Sequence, residues 1–356
     1  MGHAAAAERP QMAQAKGAAT LGQPDPGYIM RIGLGFMGSR VLQVAVGLDL
    51  FTVLGDRSMT AQQMGQALGL HPRGQYDFFD ALVALKLLDR EGDGPEGRYR
   101  NMPSTAVFLD RRSPMCIGGM INMLNNREYN IWGKLLSGLK TGMSQGAKGQ
   151  SIFDELESSE AQMEFLEAMN GVQNANFHTL AQKFDFQRYK TVCDVGCGLA
   201  LLAIIVGGHH KHLSFHVLDL PAVTPHTQRR IDAAGMADRA TVQAGDFFVS
   251  HLPNVDIVFM GNVLHDWDLE KKMVLIRKAY DALPEGGAFV VVEDVIDNGR
   301  RKNVFGLLMS LNMLVETGDG FNFTMADFQR WCCDVGFGRF DAIPLVGSST
   351  ALVAYK

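Results

Sequence analysis

Short apolar runs alternate with stretches of helical spacing from Thr191 to the end of the chain. These runs predict strands over residues 191–195, 215–219, 241–244, 255–260, 288–295, 339–345 and 350–355. Strands separated by helices are typical of a doubly wound α/β sheet. The last two strands leave no room for a helix between them, so we expect an antiparallel hairpin there. The pattern therefore predicts an α/β fold with a doubly wound, seven-stranded sheet that ends in an antiparallel hairpin.

The first half of the chain is patterned as helices. We expect helices over residues 36–54, 60–70 and 73–88, and then a glycine-rich hairpin over residues 89–99. Glycine ends the second of these helices, and the third has a continuous apolar face. A helix, a turn, a second helix and a hairpin form a winged-helix arrangement, which raises the hypothesis of DNA binding.

The charges of this region argue against DNA. Arg73 and Lys86 are outnumbered by Asp77, Asp80 and Asp89, so the second helix lacks the basic stripe that contacts phosphates. We therefore interpret the winged-helix-like region as a dimerisation module.

Four segments follow from these patterns. Residues 1–27 are expected to be a disordered tail and residues 28–114 the mainly helical dimerisation domain. Residues 115–190 are expected to be a helical linker that lines a substrate site, and residues 191–356 form the ligand-binding domain.

Candidate substrate-lining residues lie in two helical stretches. Phe165 and Met169 are four residues apart and share one helix face. Met309, Asn312 and Met313 belong to a helix predicted over residues 303–316. Apolar residues at such spacing are mostly plain core, whereas methionine also suits flat ligands, so both interpretations stay open.

A glycine motif near the N-terminus resembles a dinucleotide fingerprint. Gly33, Gly35 and Gly38 match G-x-G-x-x-G, and Asp56 follows about twenty residues later, as a nicotinamide dehydrogenase would require. The segment before the motif is too short and too close to the tail for a good strand, and helical spacing continues after it. The context therefore excludes a dinucleotide site here.

A second glycine turn follows the first predicted strand of the C-terminal half. Asp194, Gly196 and Gly198 lead into a helix expected to begin at Leu199, and Leu201 stands where a dinucleotide fingerprint needs glycine. No Lys-Ser or Lys-Thr follows, which excludes a P-loop. What remains is either an ordinary tight turn or a site for a nucleoside without pyrophosphate, and S-adenosylmethionine fits the second description.

Further polar and aromatic residues follow the predicted strands, at the edge where doubly wound sheets bind ligands. Asp219 ends the second strand and suits ribose hydroxyls. Asp246 and Phe247 follow the third and suit the amino group and ring of adenine. His265 follows the fourth strand and Glu293 ends the fifth.

Composition narrows the class of protein. The 356-residue chain has a net charge of −5 and a pI near 6.1, which argues against a nucleic-acid binder. Its five cysteines have no C-x-x-C spacing, which favours reduced thiols, no metal site and a cytoplasmic location. We find no apolar run of the roughly 18–20 residues that a membrane span needs, and residues 1–27 lack the apolar segment of a secretion signal.

Five motifs give a specific resemblance over residues 30–356. They are Asp194-Val-Gly-Cys-Gly, Asp219-Leu-Pro, Gly245-Asp-Phe-Phe, Leu264-His-Asp-Trp and Leu283-Pro-Glu-Gly-Gly. In this order and spacing, the chain resembles the S-adenosylmethionine-dependent small-molecule O-methyltransferases, which include plant caffeate and acetylserotonin enzymes. It resembles the bacterial members that methylate natural products most closely. The antiparallel hairpin at the end of the sheet is also typical of methyltransferases.

The resemblance implies a role for each motif. Asp194, Gly196, Gly198, Asp219, Leu220, Asp246 and Phe247 match cofactor-binding positions. His265 matches the general base and Glu293 a carboxylate that orients it. The expected reaction moves a methyl group from S-adenosylmethionine to a hydroxyl of an aromatic or conjugated molecule, leaves S-adenosylhomocysteine and needs no metal. A homodimer is implied.

The chain departs from the family pattern at three positions. Ala200 replaces a glycine, Gly261 replaces a basic residue, and Asn322 replaces a second acid expected beside the histidine. The last change leaves open whether Glu293 suffices, whether the acceptor is unusually acidic, or whether nitrogen or carbon is methylated instead. A winged-helix regulator that binds a small ligand without catalysis is the alternative from another class.

Overall fold

The N-terminal half is mainly helical. A computed structural model describes residues 25–146 and 159–356, so nearly all of the expected tail lies outside the described residues. The helices are α1 (Gly27–Gly47), α2 (Leu50–Leu54), α3 (Ala61–Ala67), α4 (Pro72–Ala84) and α5 (Pro103–Phe108). The strands β1 (Met59–Thr60), β2 (Leu88–Glu91) and β3 (Arg98–Asn101) form a small antiparallel sheet in the order β1-β3-β2. This is the expected succession of helix, helix and hairpin.

Two predicted helices end early because left-handed residues interrupt them. The helix expected over residues 36–54 is two helices, since Asp49 has a φ of 57° and separates α1 from α2. The helix expected over residues 73–88 ends at Ala84, because Lys86 has a φ of 60° and turns the chain into β2. Left-handed backbone is incompatible with a continuing right-handed helix.

Helix α1 also begins earlier than predicted. Gly33, Gly35 and Gly38 lie inside it, so no strand precedes the G-x-G-x-x-G segment and no phosphate-binding turn forms there. Its apolar side chains Ile29 and Ile32 are exposed. The described residues divide into two compact units after Arg40, which lies within α1.

The expectation that no segment could cross a membrane is wrong on length and composition. Helix α1 is 21 residues long and apolar enough to span one, and it is the only such helix in the described part of the chain. Length and composition alone do not separate a spanning helix from one that packs against another protein surface.

The middle of the chain is helical, as predicted. It contains α6 (Gly118–Met123), a π-helical turn over Leu124–Glu128, α7 (Tyr129–Trp132), α8 (Leu135–Thr141) and α9 (Ser159–Lys183). The long helix α9 packs against α6. Part of the expected linker, residues 147–158, lies outside the described residues.

The C-terminal half is the predicted sheet. Its strands are β4 (Thr191–Val195), β5 (Ser214–Asp219), β6 (Ala240–Ala244), β7 (Ile257–Gly261), β8 (Ala288–Asp294), β9 (Arg339–Pro344) and β10 (Ser349–Tyr355). Their order is β6-β5-β4-β7-β8-β10-β9; β10 is antiparallel to β8 and β9, and the other pairs are parallel. The helices are α10 (Leu201–His209), α11 (Thr224–Ala233), α12 (Leu269–Ala282), α13 (Val304–Glu316) and α14 (Met325–Val335). The predicted fold class is confirmed.

Both faces of this sheet are covered, which explains why its central strands β7, β8 and β10 are mostly apolar. Adjacent residues of β4 enter different cores: Val192 packs with residues of α9 and α10, and Cys193 packs with residues of α12 and α14. The alternation follows from the two-residue repeat of a strand. Polar residues are therefore left to the strand ends, where the candidate site lies.

Candidate active site

The glycine turn after β4 is tighter than the sequence suggests. Gly196, Gly198 and Ala200 all have positive φ, at 72°, 52° and 58°. Helix α10 consequently begins at Leu201, not at Leu199 as predicted. Gly196 lies so close to Val263 that a Cβ atom would approach the Cγ2 of that valine to 2.9 Å. Bare backbone is therefore required at this point of the turn.

Two acids beside this turn suit a cationic ligand. Asp219 accepts hydrogen bonds from the amides of Gly198 (2.8 Å) and Leu220 (2.7 Å), and burial raises its pKa. Asp194 is 3% exposed, and burial together with the charge of Asp219 raises its pKa to about 8. A ligand with positive charge would relieve both carboxyl groups. The sulfonium and ammonium of S-adenosylmethionine fit this requirement.

Aromatic side chains line the strand ends next to the turn. The rings of Phe247 and Trp267 are 6.0 Å apart and edge-on, and Phe248 packs against the same tryptophan at 4.8 Å. Asp246 is exposed and accepts a hydrogen bond from the amide of Phe248 at 2.8 Å. The predicted acid and aromatic ring thus lie at the ligand-binding edge of the sheet.

His265 and Glu293 meet because their strands are neighbours. β7 and β8 are parallel, so the turn Leu264–Asp266 after β7 lies beside the end of β8. The Nδ1 atom of His265 is 3.0 Å from the Oε2 atom of Glu293, an ion-pair contact outside hydrogen-bond alignment. The Oε1 atom of Glu293 also accepts the backbone N–H of His265 at 3.2 Å. Glu293 is 1% exposed, so this carboxylate is dedicated to the histidine.

A second carboxylate beside the histidine was missed. The Oδ1 atom of Asp266 is 3.3 Å from the Nε2 atom of His265. Asn322, at the position where the family pattern has an acid, uses its amide to donate to the carbonyl of Asp294 at 3.0 Å. Sequence analysis left open whether Glu293 suffices once Asn322 replaces the second acid; Asp266 gives the histidine a second carboxylate neighbour. Asp266 follows the histidine directly, but sequence adjacency did not reveal that a tight turn brings the two side chains together.

These charges make His265 a strong base. Burial disfavours the imidazolium, but the charges of Glu293 and Asp266 outweigh this effect and raise the pKa of His265 to about 9. Burial raises the pKa of Asp266 to about 7, although the imidazolium acts in the opposite direction. The two groups therefore titrate as a coupled pair.

A fully buried lysine holds the loops around this turn. The ammonium of Lys272 donates to the carbonyl oxygens of Trp267 and, at 3.1 Å, of Phe321. It also lies 3.4 Å from the ring centre of Phe321. Burial lowers the pKa of Lys272 to about 8. Sequence analysis did not single out this residue because a lysine on a helix is usually exposed.

The candidate substrate-lining residues come from two helices that border the site. Phe165 and Met169 are half-buried on α9, whose Leu166 packs against the glycine turn at Leu199. On α13, Met313 is buried, and Met309 and Asn312 are half-buried. The Oδ1 atom of Asn312 accepts a hydrogen bond from the Nε1 atom of Trp132 at 2.6 Å.

No group of three or more His, Cys, Asp or Glu side chains is placed to hold a metal ion in the described ranges, 25–146 and 159–356.

Comparison with known proteins gives the same family over nearly the whole chain. An O-methyltransferase domain matches residues 132–338, and an O-methyltransferase dimerisation domain matches residues 30–111. The tetracenomycin polyketide synthesis 8-O-methyl transferase of Streptomyces glaucescens is 36% identical over 93% of this chain and 97% of its own length. The N,N-dimethyltransferase OxyT of Streptomyces rimosus is 31% identical over 87% of this chain and 90% of its own.

Comparison with solved structures supports the same family. The human N-acetylserotonin methyltransferase, crystallised in complex with S-adenosylmethionine, superposes with a TM-score of 0.87 at 27% identity. The match covers 94% of this chain and 99% of the human chain. Together with the carboxylates beside the glycine turn, these likenesses identify the cofactor as S-adenosylmethionine. The chain belongs to the O-methyltransferase family and is an S-adenosylmethionine-dependent enzyme.

Proposed function

We propose that this enzyme methylates a hydroxyl of an aromatic or conjugated natural product and that His265 is the general base. The observation that carries the proposal is the contact of both imidazole nitrogens with carboxylates, at 3.0 Å and 3.3 Å. A buried imidazole with two such partners is stabilised in its protonated form, which is the form that a base reaches during proton transfer.

The base strength suits a phenol. A free phenol and a free imidazole differ by about 3.5 pKa units, which makes full proton transfer costly. The carboxylates raise the pKa of His265 to about 9, so the difference shrinks to roughly one unit. Glu293 orients the imidazole through Nδ1, and the neutral form of His265, which is populated as the pH approaches 9, takes the hydroxyl proton on Nε2 as the acceptor oxygen becomes nucleophilic.

The cofactor residues have matching tasks. S-adenosylmethionine supplies an electrophilic methyl group on a sulfonium. Asp219 and Leu220 would hold its ribose, and Asp246 and Phe247 its adenine. Asp194 and the turn Gly196–Gly198 would hold the methionine part, where buried carboxyls balance positive charge.

Methylation of nitrogen is the second candidate. One relative of 31% identity is named as an N,N-dimethyltransferase, and Asn322 departs from the acid of the O-methyltransferase pattern. A neutral amine does not require a base before it attacks the methyl group, so this reaction would depend little on His265.

Three further properties belong to the proposal. The dimerisation domain and the exposed apolar face of α1 support a homodimer. Arg90 and Arg100 pair with Asp80 and Asp89 at 2.7 Å and 2.6 Å, which supports the absence of nucleic-acid binding by the winged-helix-like region. The five free cysteines support a cytoplasmic location.

Methyl transfer from labelled S-adenosylmethionine to a panel of phenols and aromatic amines tests the proposal. We expect label in phenols, with an O-methyl product identified by NMR. Label confined to amines or to ring carbon would establish the second candidate or a C-methyltransferase instead.

A further inference from the structure

Two buried carboxyl groups meet beside the candidate site. Glu128 ends the π-helical turn and is 5% exposed, and Glu316 ends α13 and is 2% exposed. Arg127, the neighbour of Glu128 in the chain, donates to Glu316, and the carboxyl of Glu316 raises the pKa of Glu128, so the two groups lie close to each other. π-Helical turns are rare and occur often at functional sites.

One cation faces these two acids. Arg127 donates to the Oε2 atom of Glu316 through Nε (2.9 Å) and Nη2 (2.6 Å). Glu316 and Arg127 are charged groups that act on the pKa of Glu128, and the Asn312 amide also acts on it. A single guanidinium neutralises only one of the two carboxyl groups, so the other is stable only as a neutral acid.

The hydrogen-bond pattern is consistent with one proton between the two groups. The Oε2 atom of Glu128 and the Oε1 atom of Glu316 are fully buried without a hydrogen-bond partner among the described residues. Two carboxylates can only accept, so a shared proton would give both atoms a partner. Burial, and to a lesser extent the neighbouring carboxyl of Glu316, raises the pKa of Glu128 to about 9.

The pair is connected to the catalytic turn through the end of α13. The loop after Glu316 packs so closely on this turn that a Cβ atom at Gly320 would lie 2.5 Å from the carbonyl oxygen of His265. The hydroxyl of Thr317 accepts the amide of Gly320 at 2.9 Å and so fixes the loop. The charge of Glu316 also contributes to the raised pKa of Asp266.

We propose that Glu128 and Glu316 share one proton and act as positioning residues, holding α13 and the loop after it against the His265–Asp266 turn. The role of the turn in proton transfer rests on the function proposed above. The shared proton itself does not depend on that function.

Removing the carboxyl group of Glu128, which carries the shared proton, should lower turnover. Glu128→Ala leaves Glu316 with fewer partners, and we expect kcat to fall about tenfold while KM for S-adenosylmethionine changes little. Glu128→Gln keeps a donor towards Glu316 and should restore most of kcat. Glu285→Gln makes the same chemical change at an exposed site and should match wild type throughout.

The pH dependence of stability tests the shared proton without any acceptor. Since the pKa of Glu128 is raised in the folded state, its contribution to stability is complete below about pH 4.5 and is lost as the pH rises to about 9. Glutamine cannot ionise, so the Tm of Glu128→Gln relative to wild type should rise over this interval. Infrared difference spectra at neutral pH should show a protonated carboxyl band that Glu128→Gln lacks.

A Tm difference that does not change with pH, together with no lost carboxyl band, would overturn the shared proton. Equal kcat for wild type and a folded Glu128→Ala would overturn the positioning role. Neither result depends on whether His265 is the base, because full activity of a His265 variant would refute the proposed function alone.

Discussion

At the scale of single residues, His265 is the group on which the proposed chemistry depends. If it removes a phenolic proton, His265→Ala should lower turnover by about two to four orders of magnitude. Affinity for S-adenosylhomocysteine, measured by calorimetry, should hardly change. His226→Ala, at a half-buried histidine of α11 outside the His265 turn, is the matched control and should keep full turnover. Intact turnover of His265→Ala on the true substrate would favour methylation of nitrogen or carbon.

The two carboxylates at this histidine give a pH test. The pKa of His265 is raised to about 9, so the fraction of free base, and with it the rate, should increase as pH approaches that value. Asp266→Asn removes one negative charge and should lower the pKa of His265. The acid limb of the pH–rate profile should therefore move to lower pH. The same shift should appear in NMR titration of the imidazole, and an unchanged limb would show that Asp266 does not act on the base.

The raised pKa also has a consequence for folding. Because the pKa of His265 is higher in the folded state than its usual 6.5, the protonated histidine contributes stability that is complete below about pH 6.5. This contribution is lost as the pH rises through about 9. The Tm of wild type relative to His265→Ala should therefore fall as the pH rises from about 6.5 to 9.

At the scale of elements, the turn between β4 and α10 joins fold to cofactor. Gly196 has a φ of 72°, and a Cβ atom there would lie 2.9 Å from Val263. Gly196→Ala should destabilise the protein by about 1–3 kcal/mol and weaken cofactor binding. Gly208→Ala is the control, because Gly208 lies in α10 with open space around its Cα. Thermal unfolding measures both, and equal Tm values would contradict the required close approach.

The carboxylate at the end of β5 serves the same turn. Asp219 accepts the amides of Gly198 and Leu220 and, in the proposed site, two ribose hydroxyls. Asp219→Ala should weaken the binding of S-adenosylhomocysteine by about 10- to 100-fold. This corresponds to the loss of about 1.5–3 kcal/mol from hydrogen bonds to a charged group. Asp238→Ala makes the same change at an exposed site before the start of β6, away from the carboxyl ends of the strands, and should bind normally. Unchanged affinity of Asp219→Ala would remove the ribose assignment.

At the scale of the whole molecule, helix α1 needs a covering surface. Its side chains Ile29 and Ile32 are 70% and 65% exposed, and an O-methyltransferase dimerisation domain matches residues 30–111. Light scattering should give about twice the monomer mass at micromolar protein. Ile32→Glu should produce monomers, while Val274→Glu, on the exposed face of α12, should not. A fully active monomer of wild type would refute the homodimer.

The positions of the strands were determined by the local sequence. The seven C-terminal strands were placed within two residues at each end, because apolar runs bounded by turn residues have few alternatives. The helix ends were less predictable. Asp49, Lys86 and Ala200 adopt left-handed backbone that a non-glycine residue takes only when surrounding packing imposes it.

The candidate site also has some features that the sequence predicted and others that only the tertiary structure revealed. The resemblance to the family implied that Glu293 orients His265, and the two residues lie at one edge of the sheet because they follow parallel neighbouring strands. Only the tertiary structure revealed that Asp266 lies beside the Nε2 atom of His265 and that Glu128 lies close to Glu316. Such contacts depend on side-chain direction and on burial between elements distant in sequence. Burial also changes which protonation state is stable, and no local pattern of residues records that effect.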